Sequence, residues 1–127
     1  MRALRNFGER DLRIVEIDNP PPPADDEVQV RIRAVALNHI DVWGWRGMAF
    51  AKRELPITVG AEASGEITAV GKNVTDLQVG QLGALYGANT CGTCKPCIEG
   101  RDNFCENVNG VFGFHIDGFA QELSLIH

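Results

Sequence analysis

The chain has 127 residues, a formal net charge of -5, and 44% hydrophobic against 23% charged residues, the composition of a folded rather than a disordered protein. That length supplies one core and excludes a core domain joined to a complete nucleotide-binding domain. Acidic residues are scattered, no basic stripe occurs and no apolar run approaches a membrane span, so the expected partners include neither nucleic acid nor membrane.

In chain order, "MRALRNFG" and "LRIVEID" predict two short strands around a polar turn at Gly8 to Asp11. Four consecutive prolines, Pro20 to Pro23, then fix an extended surface strap. "EVQVRIRAVAL" has the clearest strand period, which places Val28, Val30, Ile32, Ala34 and Ala36 on a buried face and Gln29, Arg31 and Arg33 opposite. In "NHIDVWGWRG", Asn38 or Asp41 can cap a helix that Gly44 and Gly47 limit to a turn or two, with Trp43 and Trp45 as candidate core. "SGEITAVG", the turn "GKNV", "VGQLGALYG" and finally "GFAQELSLI" supply further strands. The fold class expected is mainly β, with glycine at the corners. The N-terminus alternates charged and apolar residues without a leader-like stretch, so a reducing cytoplasm is the expected compartment.

All four cysteines lie within "CGTCKPCIEGRDNFC": Cys91, Cys94, Cys97 and Cys105, spaced C-x2-C-x2-C-x7-C. Cysteines two residues apart grip one ion through a tight turn, and four thiolates fill a tetrahedral Zn2+ shell with no position left for water or substrate. Such a site is structural, and the ion replaces a core in a loop with few apolar residues. Lys95 and Arg101 are placed to offset part of its negative charge. Two competing readings exist. Disulfides need an oxidising compartment, and a bacterial ferredoxin has its fourth cysteine after three residues where this chain has seven.

The cysteine loop followed by "DGFAQE" resembles the structural-zinc lobe of zinc-containing medium-chain alcohol dehydrogenases. "LPITVGAEASGEITAVGKNVTDLQVGQ" is similar to that family's stretch through "GHE..G", and "ALNHIDVWGWRG" to its substrate-site strand end, so the resemblance covers nearly the whole chain. It implies a GroES-like, partly open β-barrel with a structural-zinc loop over residues 1–127. This would be the catalytic, substrate-binding domain of an NAD(P)(H)-dependent parent whose Rossmann domain lies elsewhere, the chain itself being truncated at His127. The parent would be a homodimer or homotetramer.

The resemblance also marks what has changed. The family holds its catalytic zinc with a Cys at the position of Asn38 and a His at that of Ala61. Ala61 has no donor atom and a neutral amide is a poor zinc ligand, so only the structural metal is expected. The hydroxyl of the family's proton relay is replaced by Ile40. "LNHIDVWGWRG" instead resembles the zinc-independent quinone oxidoreductase branch and its structural-zinc relatives, with Trp43 at their aromatic position. Without a Lewis acid, hydride acceptors whose charge is delocalised or hydrogen-bonded are favoured: a quinone, an enone, or an aldehyde or ketone, with alcohol oxidation as the reverse. The candidate catalytic residues are Asn38, Asp41, His39 and Glu62. Asn38 would contact nicotinamide or the substrate carbonyl, Asp41 orient the turn, and His39 play a polar or proton-transfer role. Glu62, kept from "GHE", would sit at the floor of the vacated site, and Asn38 and Trp43 are the candidate cofactor contacts.

Other signals carry less. "GEITAVGKN" has five residues between Gly65 and Gly71 where a phosphate loop needs four, and no G-x-G-x-x-G fingerprint occurs. Alone, the chain is therefore expected to be inactive with NAD(P)H. "NVT" at Asn73 is an incidental acceptor pattern, and His115 and His127 lack partner patterns. Two alternatives from other classes are a stand-alone zinc-binding interaction module and an iron-sulfur electron carrier.

Overall fold

The computed structural model describes residues 1–48 and 53–126; His127 lies outside them. β1 (Arg2–Gly8) and β2 (Asp11–Glu16) form an antiparallel hairpin, and β1 also pairs with the two-residue β4 (Ile57–Thr58). A four-stranded sheet has the order β6-β5-β3-β9, built from β3 (Val28–Ala36), β5 (Glu62–Val70), β6 (Leu82–Leu85) and β9 (Leu123–Ile126). A third ladder pairs β7 (Ala88–Asn89) with β8 (Gly110–Val111). Backbone bonds stitch the sheets together, from Leu4 N–H to the Ala120 carbonyl at 2.8 Å and from Val59 N–H to the Leu4 carbonyl at 3.1 Å. The sheets do not close on one another, and the result is a mainly β, partly open barrel.

Burial follows the strand period where the pleat is regular. Val28, Val30 and Ile67 form one buried cluster against Leu77, Leu85 and Ile126; Ala63, Phe112 and Phe119 form another, with the two rings stacked at 4.6 Å. The period expected for β3 fails after Ile32. The ladder with β5 slips between Ile32 and Ala34, so Val35 turns inward to the Phe119 cluster while Ala34 and Ala36 face outward, the reverse of the expected faces. Gly65 sits opposite the slip: a Cβ there would lie 2.4 Å from Val30 Cγ1 and 2.6 Å from the Arg31 carbonyl oxygen, so only glycine lets the strands approach.

The proline strap is largely exposed and belongs to no helix or strand, as expected. β3 leads into α1 (His39–Trp45), two turns long, and Trp43 on it is 41% exposed rather than core. Two further short elements, α2 (Lys95–Ile98) and a 3-10 turn (Asp102–Phe104), shape the cysteine segment. Among the described residues no helix is long and apolar enough to cross a membrane.

Candidate metal centre and the Asn38 turn

The cysteine segment is a lobe set between β7 and β8. Cys94 caps α2 without a side-chain bond to it, Pro96 occupies the first turn where a missing N–H costs nothing, and neither α2 nor the 3-10 turn buries a residue. Ile98 and Phe104 are 73% and 63% exposed, so apolar burial does not hold this lobe.

The sulfurs converge. All four Sγ atoms lie within 4.8 Å of one another, with Cys94 to Cys97 at 3.4 Å, Cys105 to Cys91 at 3.6 Å and Cys94 to Cys105 at 3.9 Å. Zn–S bonds of about 2.3 Å in a tetrahedron put sulfurs ~3.8 Å apart, so the observed spacing suits one zinc ion. A disulfide needs about 2.05 Å, and the four thiols are free. Main-chain donors support thiolate: Cys94 N–H points to Cys91 Sγ, and Cys91 N–H and Asn107 N–H to Cys105 Sγ, each at 3.4 Å. Backbone N–H groups of Thr93 and Cys94 lower the Cys91 thiol to about 5, whereas burial, helped by bonds to the other thiols, pushes Cys97 up to about 12. Four neighbouring thiolates repel one another, and a divalent ion held by Cys91, Cys94, Cys97 and Cys105 would supply the compensating charge. Lys95 and Arg101 both pair with Glu99, Lys95 at 3.9 Å.

The second cluster is the turn after β3. Asn38 is the N-cap of α1: its Oδ1 accepts from Ile40 N–H at 3.1 Å, and Asp41 Oδ2 accepts from Asn38 N–H at 3.0 Å, a reciprocal capping box. Asp41 Oδ1 accepts from Gly60 N–H at 2.9 Å, and the carboxylate is only 8% exposed. One buried side chain therefore ties position 38 to the backbone next to Ala61, itself buried. Because the cap engages Oδ1, the Asn38 Nδ2 is left without a partner among the described residues and keeps two donor protons.

The remaining candidates lie around this turn. His39 is exposed, and its ring is 6.1 Å from that of Trp43 one helical turn on. Glu62 begins β5 and faces Ala36 in the ladder, and its carboxylate has no hydrogen-bond or ion-pair partner among the described residues. With Ala36, Ser64, Ala84 and Tyr86 it lines an open cavity of about 450 Å³. A second cavity, of about 330 Å³, runs from buried Val30, Ile67 and Phe112 out to exposed Leu82 and Tyr86. Sequence reasoning missed the Gly60 N–H, whose only signal was its place before Ala61. It also missed the ring of N–H groups around the sulfurs, which spacing alone does not reveal.

Comparison with known proteins places these features. Residues 24–127 match the family described as the alcohol dehydrogenase GroES-like domain. The chain is 34% identical over 123 residues to an L-threonine 3-dehydrogenase of Saccharopolyspora erythraea, covering 95% of this chain and 36% of that protein. The crystal structure of the alcohol dehydrogenase of Aeropyrum pernix superposes with a TM-score of 0.87 at 34% identity, over 98% of this chain and 37% of that one. An alcohol dehydrogenase from Escherichia coli CFT073, complexed with NADH, superposes with a TM-score of 0.84 at 31% identity, over 99% of this chain and 36% of that one. The chain thus spans little more than a third of the length of the relatives it matches.

Proposed function

This chain belongs to the alcohol dehydrogenase GroES-like domain family, and from that premise we propose that it is the substrate domain of a longer NAD(P)-dependent oxidoreductase acting on a small alcohol, carbonyl or quinone. In this reading Cys91, Cys94, Cys97 and Cys105 hold one structural zinc, and no catalytic zinc is held at the Asn38 turn. A Rossmann domain elsewhere in the parent binds the nicotinamide, so residues 1–127 alone do not turn over NAD(P)H. The parent is a cytoplasmic homo-oligomer.

Nicotinamide, when bound, supplies or accepts the hydride; the residues here position its partner. The observation that carries the reading is the Asn38 cap. With one acceptor position of Oδ1 taken by Ile40 N–H, the amide still offers Nδ2 to a ligand, as a neutral hydrogen-bond donor to a carbonyl oxygen that gains charge as hydride arrives. Asp41 holds that amide through the backbone of both Asn38 and Gly60. Ala61 offers no ligand atom, and its methyl group is buried where a donor would be needed. Carbonyls whose charge spreads over a conjugated system, quinones and enones, suit one weak donor best. Glu62 borders the cavity between the end of β3 and the start of β5, and His39 with Trp43 presents an exposed aromatic and polar face for substrate or nicotinamide.

The test uses the full-length parent. Asn38→Asp keeps the cap acceptor but removes the donor protons. It should lower kcat for carbonyl or quinone reduction by about 10²-fold with thermal stability nearly unchanged. Unchanged turnover in that variant would reject a role for the Asn38 amide, and zinc-dependent turnover lost without unfolding would reject the zinc-free site.

A further inference from the structure

Gly44 lies inside α1, where glycine is a poor helix former, and its missing side chain makes room for Arg53. A Cβ there would stand 2.7 Å from Arg53 Nη1 and 3.6 Å from Phe114 Cδ2, so the guanidinium rests against the bare face of the helix. Arg53 Nη2 donates to the Gly44 carbonyl at 2.8 Å, and the guanidinium carbon lies 4.7 Å from the centroid of the Phe114 ring, itself 1% exposed. One cation thus joins α1 to the core. Arg53 has no ion pair among the described residues, and its Nε is buried without a partner among them, so the carbonyl and the ring are what hold it.

The last carbonyls of a helix have no partner within it. In α1 they are met from outside. The Gly44 carbonyl also accepts from Asn6 Nδ2 of β1 at 3.1 Å, and the Trp45 carbonyl accepts from Arg10 N–H at 2.6 Å. Asn6 is fully buried and Arg10 serves through its backbone, so Arg53 is the cationic side chain bonded to this end, where positive charge is favoured. The other end is fixed by Asp41, whose carboxylate accepts from Asn38 N–H and Gly60 N–H. Anchored at one end, a rigid helix can pivot; a second anchor nearly two turns away sets its axis. That axis matters to Asn38, because its Oδ1 is bonded to Ile40 N–H, a group of the helix itself, and the direction of Nδ2 follows α1.

On the reading that Asn38 Nδ2 meets the ligand, we propose that Arg53 is a positioning residue for that amide, pinning the far end of α1 to Phe114 so that the helix aims Nδ2 in one fixed direction. Glycine at 44 is the other half of the pin, since a side chain there would displace the guanidinium.

A structural readout and a kinetic one together test it. Residual dipolar couplings of the 39–45 amides in the 127-residue protein report the axis of α1 against the β3–β5 ladder. Arg53→Gln and Gly44→Ala should each turn that axis by about 10–20°, enough to leave the tolerance of a functional site, and Arg53→Lys, which keeps the cation, should stay closer to the native value. A role confined to stability predicts the opposite for Gly44→Ala, because alanine is the better helix former. In the full-length parent Arg53→Gln and Gly44→Ala should lower kcat about tenfold, with KM and zinc content little changed. Native couplings in either folded variant would overturn the proposal, and Gly44→Ala decides alone where Arg53→Gln does not fold. A turned helix with native kcat would support the pin and reject instead the Asn38 reading that it serves.

Discussion

The cysteine lobe and the Asn38 turn are held together by opposite means. The lobe buries no side chain in its helical turns and converges four soft donors on one point, so on the proposed reading its order depends on a metal that its own ligand set would seal from substrate. The turn is held by hydrogen bonds. A buried carboxylate and a capping amide fix it through backbone N–H groups, and the Asn38 Nδ2 is left without a partner among the described residues. On the proposed reading, the more conspicuous site is the structural one, and chemistry belongs to the site with spare hydrogen-bonding capacity.

Removing the lobe's ion should have the largest effect. Structural zinc contributes about 10–16 kcal/mol of binding free energy at pH 7. Chelation or Cys97→Ser should therefore abolish amide protection across residues 91–105 while the β3–β5 ladder stays protected. Simultaneous loss of both regions would break the distinction between them. Asp41→Ala comes next, because it leaves the Asn38 and Gly60 N–H groups without acceptors at about 1–3 kcal/mol each. Thermal melting should show that loss, with zinc content unchanged. Asn38→Ala should cost about 1 kcal/mol as a lost N-cap, read from the same melts, and Asn38→Asp much less.

The smallest effect lies in neither region. Arg2, through its backbone N–H at 3.3 Å and its side chain at 3.2 Å, holds the Glu122 carboxyl below its ordinary value. The folded protein thus releases that proton more readily than the unfolded chain. The stabilisation is present above the ordinary carboxylate value and is lost as pH falls through the lowered one. Glu122→Gln should slightly flatten the acid limb of the melting profile and leave both clusters untouched.

Which features were legible depended on how local their physics is. The cysteine spacing declares a metal site because its donors lie within one short loop, and Asn38 with Asp41 reads as a cap because the box closes over three residues. The bonds that give the turn its geometry were hidden: Gly60 meets Asp41 from 19 residues away. β1, β2 and β5 were visible through composition and turns. β4, β7 and β8, two residues each, are too short to carry a period and exist only through their partners. The outward turn of Ala34 and Ala36 was illegible for the same reason, since the bulge depends on Gly65 across the ladder. Lys95 and Arg101, expected as counter-charges for the thiolates, also pair with Glu99, a carboxylate of the same loop that the cysteine spacing does not single out.

On the proposed reading, metal supports the lobe and is not held at the Asn38 turn. The deciding measurement is the zinc content of the purified full-length parent, taken together with X-ray absorption at the zinc edge. One zinc per chain in an all-sulfur shell, lost on Cys97→Ser, is the expected result. A second tightly held zinc, or a shell containing nitrogen or oxygen donors, would overturn the reading.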